Sequence, residues 1–143
     1  MHAISLRCCL TIFLAAAICG CTGCGPNSDD SKLREVERLE GTIPVLPSLV
    51  EIRQDRTSKG IVASISKYYT SEVRYNEVKR FYGNELRKHG WEYVGEKQLK
   101  EWGKDFGGCE IKFSNKEYYF SIQYAGEKAP YDWNYVISLG WRE

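Results

Sequence analysis

Residues 61–91 read IVASISKYYTSEVRYNEVKRFYGNELRKHGW, and this stretch decides the fold. Its first part alternates, with Ile61, Ala63 and Ile65 on one side, which is the two-residue period of a half-buried strand. Its second part changes to spacings of three and four, which are typical of an amphipathic helix. The apolar stripe of that helix consists of Tyr75, Val78, Tyr82 and Leu86.

Both ends of this helix carry recognisable signals. Thr70 or Ser71 is expected to cap its first turn, because a hydroxyl oxygen accepts a hydrogen bond from a free backbone amide. At the other end His89 is interpreted as a cap and not as a catalytic base, and Gly90 offers the left-handed exit. Gly83 costs about 1 kcal/mol relative to alanine inside a helix, so we expect it to permit close approach to a strand.

The rest of the chain after residue 42 predicts further strands. Asp55–Gly60 indicates a turn that joins the first two strands as an antiparallel pair, and residues 97–106 are ambiguous between a helical turn and an irregular excursion. The other strands are predicted at Leu49–Arg53, Trp91–Val94, Glu110–Phe113, Tyr118–Tyr124 and Trp133–Leu139. One main helix on about five or six antiparallel strands is an α+β two-layer sandwich, here a single domain over residues 43–143.

The first 42 residues have a different character. Residues 1–20 begin with the basic Arg7 and continue with an apolar run that is too short to cross a bilayer, which needs about 20 apolar residues. This pattern predicts a secretory signal peptide. Residues 21–42 open with small polar side chains and predict a tether, within which residues 31–40 have the apolar spacing of a short amphipathic helix.

The signal ends in Ile18-Cys19-Gly20-Cys21. This tetrapeptide resembles the bacterial lipobox, from which Cys19 departs as an unusual but small residue. The resemblance implies that Cys21 carries a diacylglycerol and becomes the acylated N-terminus. Such acyl chains, palmitate among them, would hold the protein at a membrane of the cell envelope, facing the periplasm or the cell exterior. Inner and outer membrane remain alternatives.

A second resemblance rests on Val78, Phe81 and Tyr82, followed by Gly90-Trp91. Residues 61–95 resemble a diffuse group of small bacterial lipoproteins and secreted domains. In that group a strand enters a helix carrying Val-x-x-Phe-Tyr and leaves it through Gly-Trp. The resemblance implies the α+β fold and implies no particular activity.

Cysteine and charge counts exclude some classes of function. Once the signal is removed and Cys21 is acylated, only Cys24 and Cys109 remain of the six cysteines. Outside the cytoplasm these two could form a disulfide, and the alternative is that Cys109 is a half-buried free thiol. The chain has 20 basic and 19 acidic residues without a basic cluster, so we expect no nucleic-acid partner.

The sequence contains no motif that would identify an enzyme. It lacks a Gly-x-Ser-x-Gly elbow, a His-Glu-x-x-His zinc motif and a phosphate-binding loop, and it implies no cofactor and no metal. Because two facing carboxylates leave no sequence signature, an envelope hydrolase stays open as an alternative.

Aromatic residues give the remaining functional signal. Consecutive residues of a strand point to opposite faces, so Tyr119 is expected to leave the core side. Tyr131, Trp133 and Tyr135 share a parity and would stand on one face of the last strand. These four residues are the candidate binding face. The alternative is that both faces of the sheet are covered, one by the helix and the other by the tether or long loops.

Together these features favour a lipid-anchored, non-enzymatic protein of the cell envelope that binds a partner protein or an envelope glycan. An envelope hydrolase and a toxin-immunity lipoprotein are the alternatives.

Overall fold

The computed structural model of the chain describes residues 28–101 and 103–143. In this part of the chain two helices and six strands form an α+β fold, as predicted. In chain order the elements are α1 (Ser28–Glu40), β1 (Val50–Lys59), β2 (Val62–Thr70), α2 (Tyr75–Lys88), β3 (Glu92–Glu101), β4 (Lys104–Asn115), β5 (Tyr118–Tyr124) and β6 (Tyr135–Arg142).

The six strands form one antiparallel sheet in the order β1-β2-β6-β5-β4-β3. β1 and β2 pair as the sequence predicts. α2 then carries the chain to the far edge, where β3, β4 and β5 follow as successive hairpins. β6 closes the sheet by pairing with both β2 and β5. In this topology segments that are far apart in the chain meet beside the central strands β6 and β5.

One face of the sheet, called here the helix side, carries the core. α2 lays Val78, Tyr82 and Leu86 on it, and all three side chains are buried. The ring centroid of Tyr82 lies 5.6 Å from that of Phe120 on β5. Burying such a side chain contributes about 1.5–3 kcal/mol, so this stripe holds the helix to the sheet. The strand residues of this core include Ala63, Ile65, Ile111, Phe120, Ile122 and Leu139.

The C-terminus of α2 follows the sequence prediction. His89 is the C-cap residue, and Gly90 takes the left-handed conformation with φ of 78°. The amide of Trp91 donates to the carbonyl of Leu86 at 3.0 Å, and the amide of Gly90 donates to that of Arg87 at 3.1 Å. These two bonds are a Schellman motif, which satisfies carbonyls that the helix leaves free.

The start of α2 differs from the prediction. The N-cap residue is Arg74, which makes no side-chain capping bond, and the predicted caps Thr70 and Ser71 lie before it. The reason is a long-range contact that sequence does not reveal. The side-chain amide of Asn134 accepts from the Ser71 amide at 3.0 Å and donates to the Ser71 carbonyl at 2.5 Å. Ser71 is therefore fixed in the loop after β2.

Gly83 does not have the role that its position suggested. An added Cβ at Gly83 would meet no atom within 4 Å, so no strand approaches the helix closely there. The prediction of a close helix–strand contact at this residue is wrong.

α1 packs on the same helix side of the sheet. Val36 is completely buried in the core, and Lys67 Nζ on β2 lies 2.6 Å from Glu40 Oε1 at the end of the helix. Residues 28–40 are thus part of the packed domain, whereas composition predicted a tether through residue 42. Residues 21–27 and the predicted signal peptide, residues 1–20, lie outside the described residues.

Several strand boundaries also differ from the predicted ones. β1 continues to Lys59 across the predicted turn at 55–60, because its polar residues pair in register with β2 on an exposed edge. The turn itself lies at Gly60 and Ile61, so Ile61 is exposed while Ala63 and Ile65 are buried as predicted. Residues 97–106 form the end of β3 and the start of β4.

The other face of the sheet, called here the polar face, presents the alternate strand residues. Register places Ser66 of β2, Ser138 of β6, Ser121 of β5 and Lys112 of β4 side by side on this face. Within residues 28–101 and 103–143, neither helix has the length and apolar character that a membrane-spanning segment requires.

Candidate functional site

A slot with aromatic walls lies at one end of the sheet, beside the β3–β4 turn and the β5–β6 loop. This aromatic slot is lined by Leu99 of β3, Phe106 of β4, Gln123 of β5, and Tyr131 and Trp133 of the loop. Its volume is about 370 Å³. Small-molecule sites occupy about 300–1,000 Å³ and combine apolar walls with a few polar groups, and the slot fits this description.

The loop side of the slot is a stacked aromatic pair. The rings of Tyr131 and Trp133 are 4.7 Å apart with an angle of 1° between their planes. Tyr68 of β2 meets Trp133 edge-on at 5.6 Å, and the guanidinium of Arg53 lies 3.7 Å above the Tyr68 ring. Tyr131 is 38% exposed. Tyr131, Trp133 and Tyr68 thus form an aromatic row. Arg53 packs on its Tyr68 end, and its Tyr131 end is open to solvent.

Tyr135 does not belong to this face, contrary to the prediction that it shares a side with Tyr131 and Trp133. It is fully buried on the helix side, where its hydroxyl donates to the Val73 carbonyl at 2.6 Å. The shared parity fails because β6 begins only at Tyr135. The chain before it is not part of the strand. There the Asn134 carbonyl accepts from the Ala125 amide, and the Asn134 amide donates to the Tyr69 carbonyl.

Tyr119 does leave the core side, as predicted, while its neighbours Tyr118 and Phe120 are buried. It stands on the polar face opposite Gly140 of β6. Its position there is outside the aromatic slot. Of the four predicted residues the structure therefore brings Tyr131 and Trp133 together, places Tyr119 farther along the same face and removes Tyr135.

A shallow polar groove runs along the sheet from this region. All its lining residues lie on strands, and its volume is about 390 Å³. The hydroxyls of Ser66 and Ser138 hydrogen-bond across β2 and β6 at 2.8 Å. The polar groove is defined by its serine and charged residues, which are Ser66, Glu110, Lys112, Ser121, Ser138 and Arg142.

Glu110 is the buried charge of the polar groove. Its carboxylate lies 2.8 Å from Lys97 Nζ and 3.6 Å from Lys112 Nζ, and it accepts a hydrogen bond from Gln123 Nε2 at 3.1 Å. Burial by itself raises the pKa of Glu110, but the bonds from Lys97 and Gln123 and the charges of the two lysines outweigh it. The net pKa lies below the usual glutamate value, so Glu110 is ionised at neutral pH.

Gln123 connects the slot with the groove. Its side chain lines both of them and is oriented by Glu110. A ligand that occupied the aromatic slot would therefore meet an amide and a row of hydroxyl and charged groups in the same direction.

Cys109 lies on the helix side of the sheet and carries a free thiol, half-buried beneath α2. Burial raises the pKa of the Cys109 thiol, and a hydrogen bond with Tyr75 opposes this only in part. The Tyr75 hydroxyl also donates to Glu96 Oε1 at 2.8 Å, and Glu96 contacts Lys79. A thiol with a raised pKa is a poor nucleophile. Its predicted partner Cys24 lies outside the described residues, as does the predicted lipidation site Cys21.

The described residues show no convergence of catalytic groups around the only histidine among them. His89 ends α2, and its carbonyl accepts from Asn115 Nδ2 at 3.4 Å. Among the same residues no three His, Cys, Asp or Glu side chains are grouped so that they could hold a metal ion.

The sequence prediction missed most of the slot and, apart from Tyr119, the polar groove. Leu99 and Phe106 fell in a segment without clear periodicity, and no local signal could have placed them beside Trp133. The charged pair on β4 could have been predicted from the sequence, because the alternation Glu110-Ile111-Lys112-Phe113 puts Glu110 and Lys112 on the face opposite the core.

Similarity to known proteins adds nothing to this geometry: no protein-family model, no curated protein and no solved structure matches the chain.

Proposed function

We propose that this chain is a lipid-anchored protein of the bacterial cell envelope that acts by binding, without catalysis, and that the aromatic slot is its binding site. In this proposal the domain is a two-layer sandwich whose helices cover one side of the sheet and leave the polar face for a ligand.

The single observation that carries the proposal is the stacked pair of Tyr131 and Trp133 at the slot. Aromatic rings gain most when their faces are covered, and buried rings elsewhere in this domain are enclosed by other side chains. Here the stack ends at an open slot, and Tyr131 remains 38% exposed. An exposed aromatic row beside convergent polar groups is typical of a recognition surface.

The charge pattern supports binding over hydrolysis. Two-carboxylate hydrolysis needs a pair of acids on either side of the bond that is cut. Glu110 is the single carboxylate among the described residues that line the slot and the groove. It is held ionised between Lys97 and Lys112 and cannot serve as a general acid near neutral pH.

The anchor is supported by the sequence before the domain. Cys21 follows a lipobox-like tripeptide and precedes α1 by seven residues. Two or more acyl chains on this residue would give stable membrane attachment, since each buried methylene contributes about 0.8 kcal/mol.

Binding can be tested with the soluble chain that starts at Thr22, which keeps every described residue. This protein is mixed with sedimented cell-envelope material, and its retention is compared with that of Tyr131→Ser. We expect the substitution to lower retention by about fivefold to tenfold. Tyr93→Ser is the matched control, because Tyr93 is 56% exposed on the helix side of the sheet, away from the slot. Equal retention of all three proteins contradicts the proposal.

The anchor is tested separately by the intact mass of the protein purified from membranes. A mass that equals the chain from Cys21 plus acyl groups is expected, and Cys21→Ser should leave the leader attached. A membrane-bound Cys21→Ser protein with normal processing would contradict the anchor while leaving the binding site untouched.

A further inference from the structure

We propose that the ligand of the aromatic slot and polar groove is an anionic glycan, bound with one sugar ring against the aromatic pair and its acidic groups along the groove. This inference rests on the proposed binding function and adds the chemical class of the ligand.

The shape of the site fits a sugar ring. The Tyr131–Trp133 stack offers a flat apolar surface, and Gln123 at its side offers an amide that can donate and accept. A sugar ring has this same combination, since its C–H faces are apolar and its rim is a circle of hydroxyls. The groove that continues from Gln123 supplies further hydroxyls, so a chain of sugars could follow it. They belong to the half-buried Ser66 and Ser138, whereas Ser121 between them and Lys112 is buried.

The charge of the polar face is positive. Glu110 is shared by two lysines, so its single negative charge leaves an excess of positive charge beside it. In addition, no acidic side chain of the described residues lies within ion-pair distance of Arg142 at the end of the groove. Register assigns five basic and three acidic side chains to the polar face, although the whole chain is nearly neutral. They are Arg53, Lys59, Lys97, Lys112 and Arg142 against Asp55, Glu92 and Glu110. This balance complements carboxylate or phosphate groups on the ligand.

The surface favours a glycan over a protein. The core of a protein interface is apolar and rich in large side chains. Among the described residues the exposed large hydrophobic side chains lie at seven positions, of which only Tyr131 lines the slot or the groove. The surface therefore offers hydrogen bonds, charge and one stacking platform, and little apolar area for a protein to bury.

The slot lies far from the point at which the anchor would join the domain. α1 begins near the β4–β5 turn, because Lys32 in its first half lies 3.9 Å from Glu117. The aromatic slot is at the opposite end of β5, a distance of about 20 Å for seven strand residues. The slot thus lies at the end of the sheet opposite the start of α1.

The test uses the full-length protein purified in detergent and two soluble polymers of similar length. Polygalacturonate carries a carboxylate on every sugar, whereas amylose has none. Binding is measured by retardation in gels that contain one or the other polymer. We expect retardation by polygalacturonate only, reduced about fivefold to tenfold by Tyr131→Ser. The double variant Lys112→Gln/Arg142→Gln should weaken binding by about threefold to tenfold.

The matched control is Arg80→Gln/Arg87→Gln on α2, which removes the same charge from the helix side of the sheet. If it weakens binding as much as Lys112→Gln/Arg142→Gln, the attraction is only a general charge effect and the inference is overturned. Equal binding of amylose overturns the anionic class and leaves a glycan-binding function. If neither polymer binds while Tyr131→Ser still lowers retention by envelope material, the glycan is wrong and the binding function stands. If neither polymer binds and Tyr131→Ser does not change retention by envelope material, the glycan inference and the binding function are both overturned.

Discussion

Tyr119 and Gly140 face each other across β5 and β6, and the ring of Tyr119 occupies the space in which residue 140 would carry a side chain. A Cβ built on Gly140 would lie 2.5 Å from the Tyr119 ring. The ring thus lies over the backbone of β6 and lines the polar groove. Pairing an aromatic residue with a glycine in this way fills the gap that the glycine leaves in a sheet.

We expect Gly140→Ala to lower the free energy of unfolding by about 1 kcal/mol, because the Tyr119 ring must swing off the strand and lose its cross-strand contact. Urea denaturation measures this. The double variant with Tyr119→Ala should show coupling, since the alanine at 140 no longer meets a ring. Gly95→Ala is the control, as an added Cβ there meets no atom within 4 Å. An equal loss at Gly95 would contradict the packing argument.

Gly83 offers the opposite outcome. Because it lies inside α2, has free space for a Cβ and does not take a positive φ, Gly83→Ala should stabilise the domain by about 0.5–1 kcal/mol. The contrasting variant is Gly126→Ala, where φ is 98° and the new Cβ would overlap the carbonyl oxygen of Phe106. A backbone atom cannot move aside as a ring can, so we expect a loss above about 3 kcal/mol. Thermal unfolding of the two variants should shift in opposite directions.

The interactions of Glu110 predict that the domain loses stability in acid. Its pKa in the folded state is lowered, so its interactions stabilise the fold fully above the ordinary glutamate pKa and are lost as the pH falls through the folded value. Glu110→Gln should cost about 1–2 kcal/mol at pH 7, and this difference should shrink below about pH 4. Urea titrations at the two pH values provide the measurement.

Glu92→Gln is the control for this experiment, because Glu92 is exposed on the same face. Its effect should stay within about 0.5 kcal/mol at either pH. If the two variants had the same pH dependence, the lysine pairs of Glu110 would not be the source of the stabilisation.

The sequence was informative where local chemistry decides the structure. The stripe of Val78, Tyr82 and Leu86 and the exit through Gly90 are properties of one short segment, and the structure confirms both. β5 also keeps its predicted bounds, Tyr118–Tyr124. These elements need no knowledge of their partners.

The failures at the starts of α2 and β6 share a single cause, which is contact between segments far apart in the chain. Asn134 bonds to the backbone of Ser71 and so moves both the start of α2 and the start of β6. β6 begins two residues later than predicted, so Trp133 lies in the loop and does not share a strand face with the buried Tyr135. The slot depends on the same loop, so its walls could not be assembled from periodicity.

We predict that the thiol of Cys109 reacts slowly with alkylating reagents. Its pKa is raised by burial beneath α2, so the fraction of reactive thiolate at pH 8 is small. In a Cys24→Ser variant we expect alkylation of Cys109 by iodoacetamide to be at least about tenfold slower in the folded protein than in urea. Intact mass of the unreduced wild-type chain is the companion measurement. A disulfide between Cys24 and Cys109 would show as a loss of two hydrogens and would contradict the free thiol.

Tyr135 and Tyr131 should separate stability from binding. Tyr135 is buried, and its ring centroid lies 5.2 Å from that of Tyr124. Its hydroxyl donates to the Val73 carbonyl, so Tyr135→Phe leaves that carbonyl without this donor. We expect a loss of about 1 kcal/mol in unfolding free energy and unchanged retention by envelope material. Tyr131→Ser should have the reverse profile, because a loop residue that is 38% exposed contributes little to the core. Both quantities can be measured on the same preparations. If Tyr135→Phe reduced retention at constant stability, the buried position would be wrong and the four aromatic residues would again form one face.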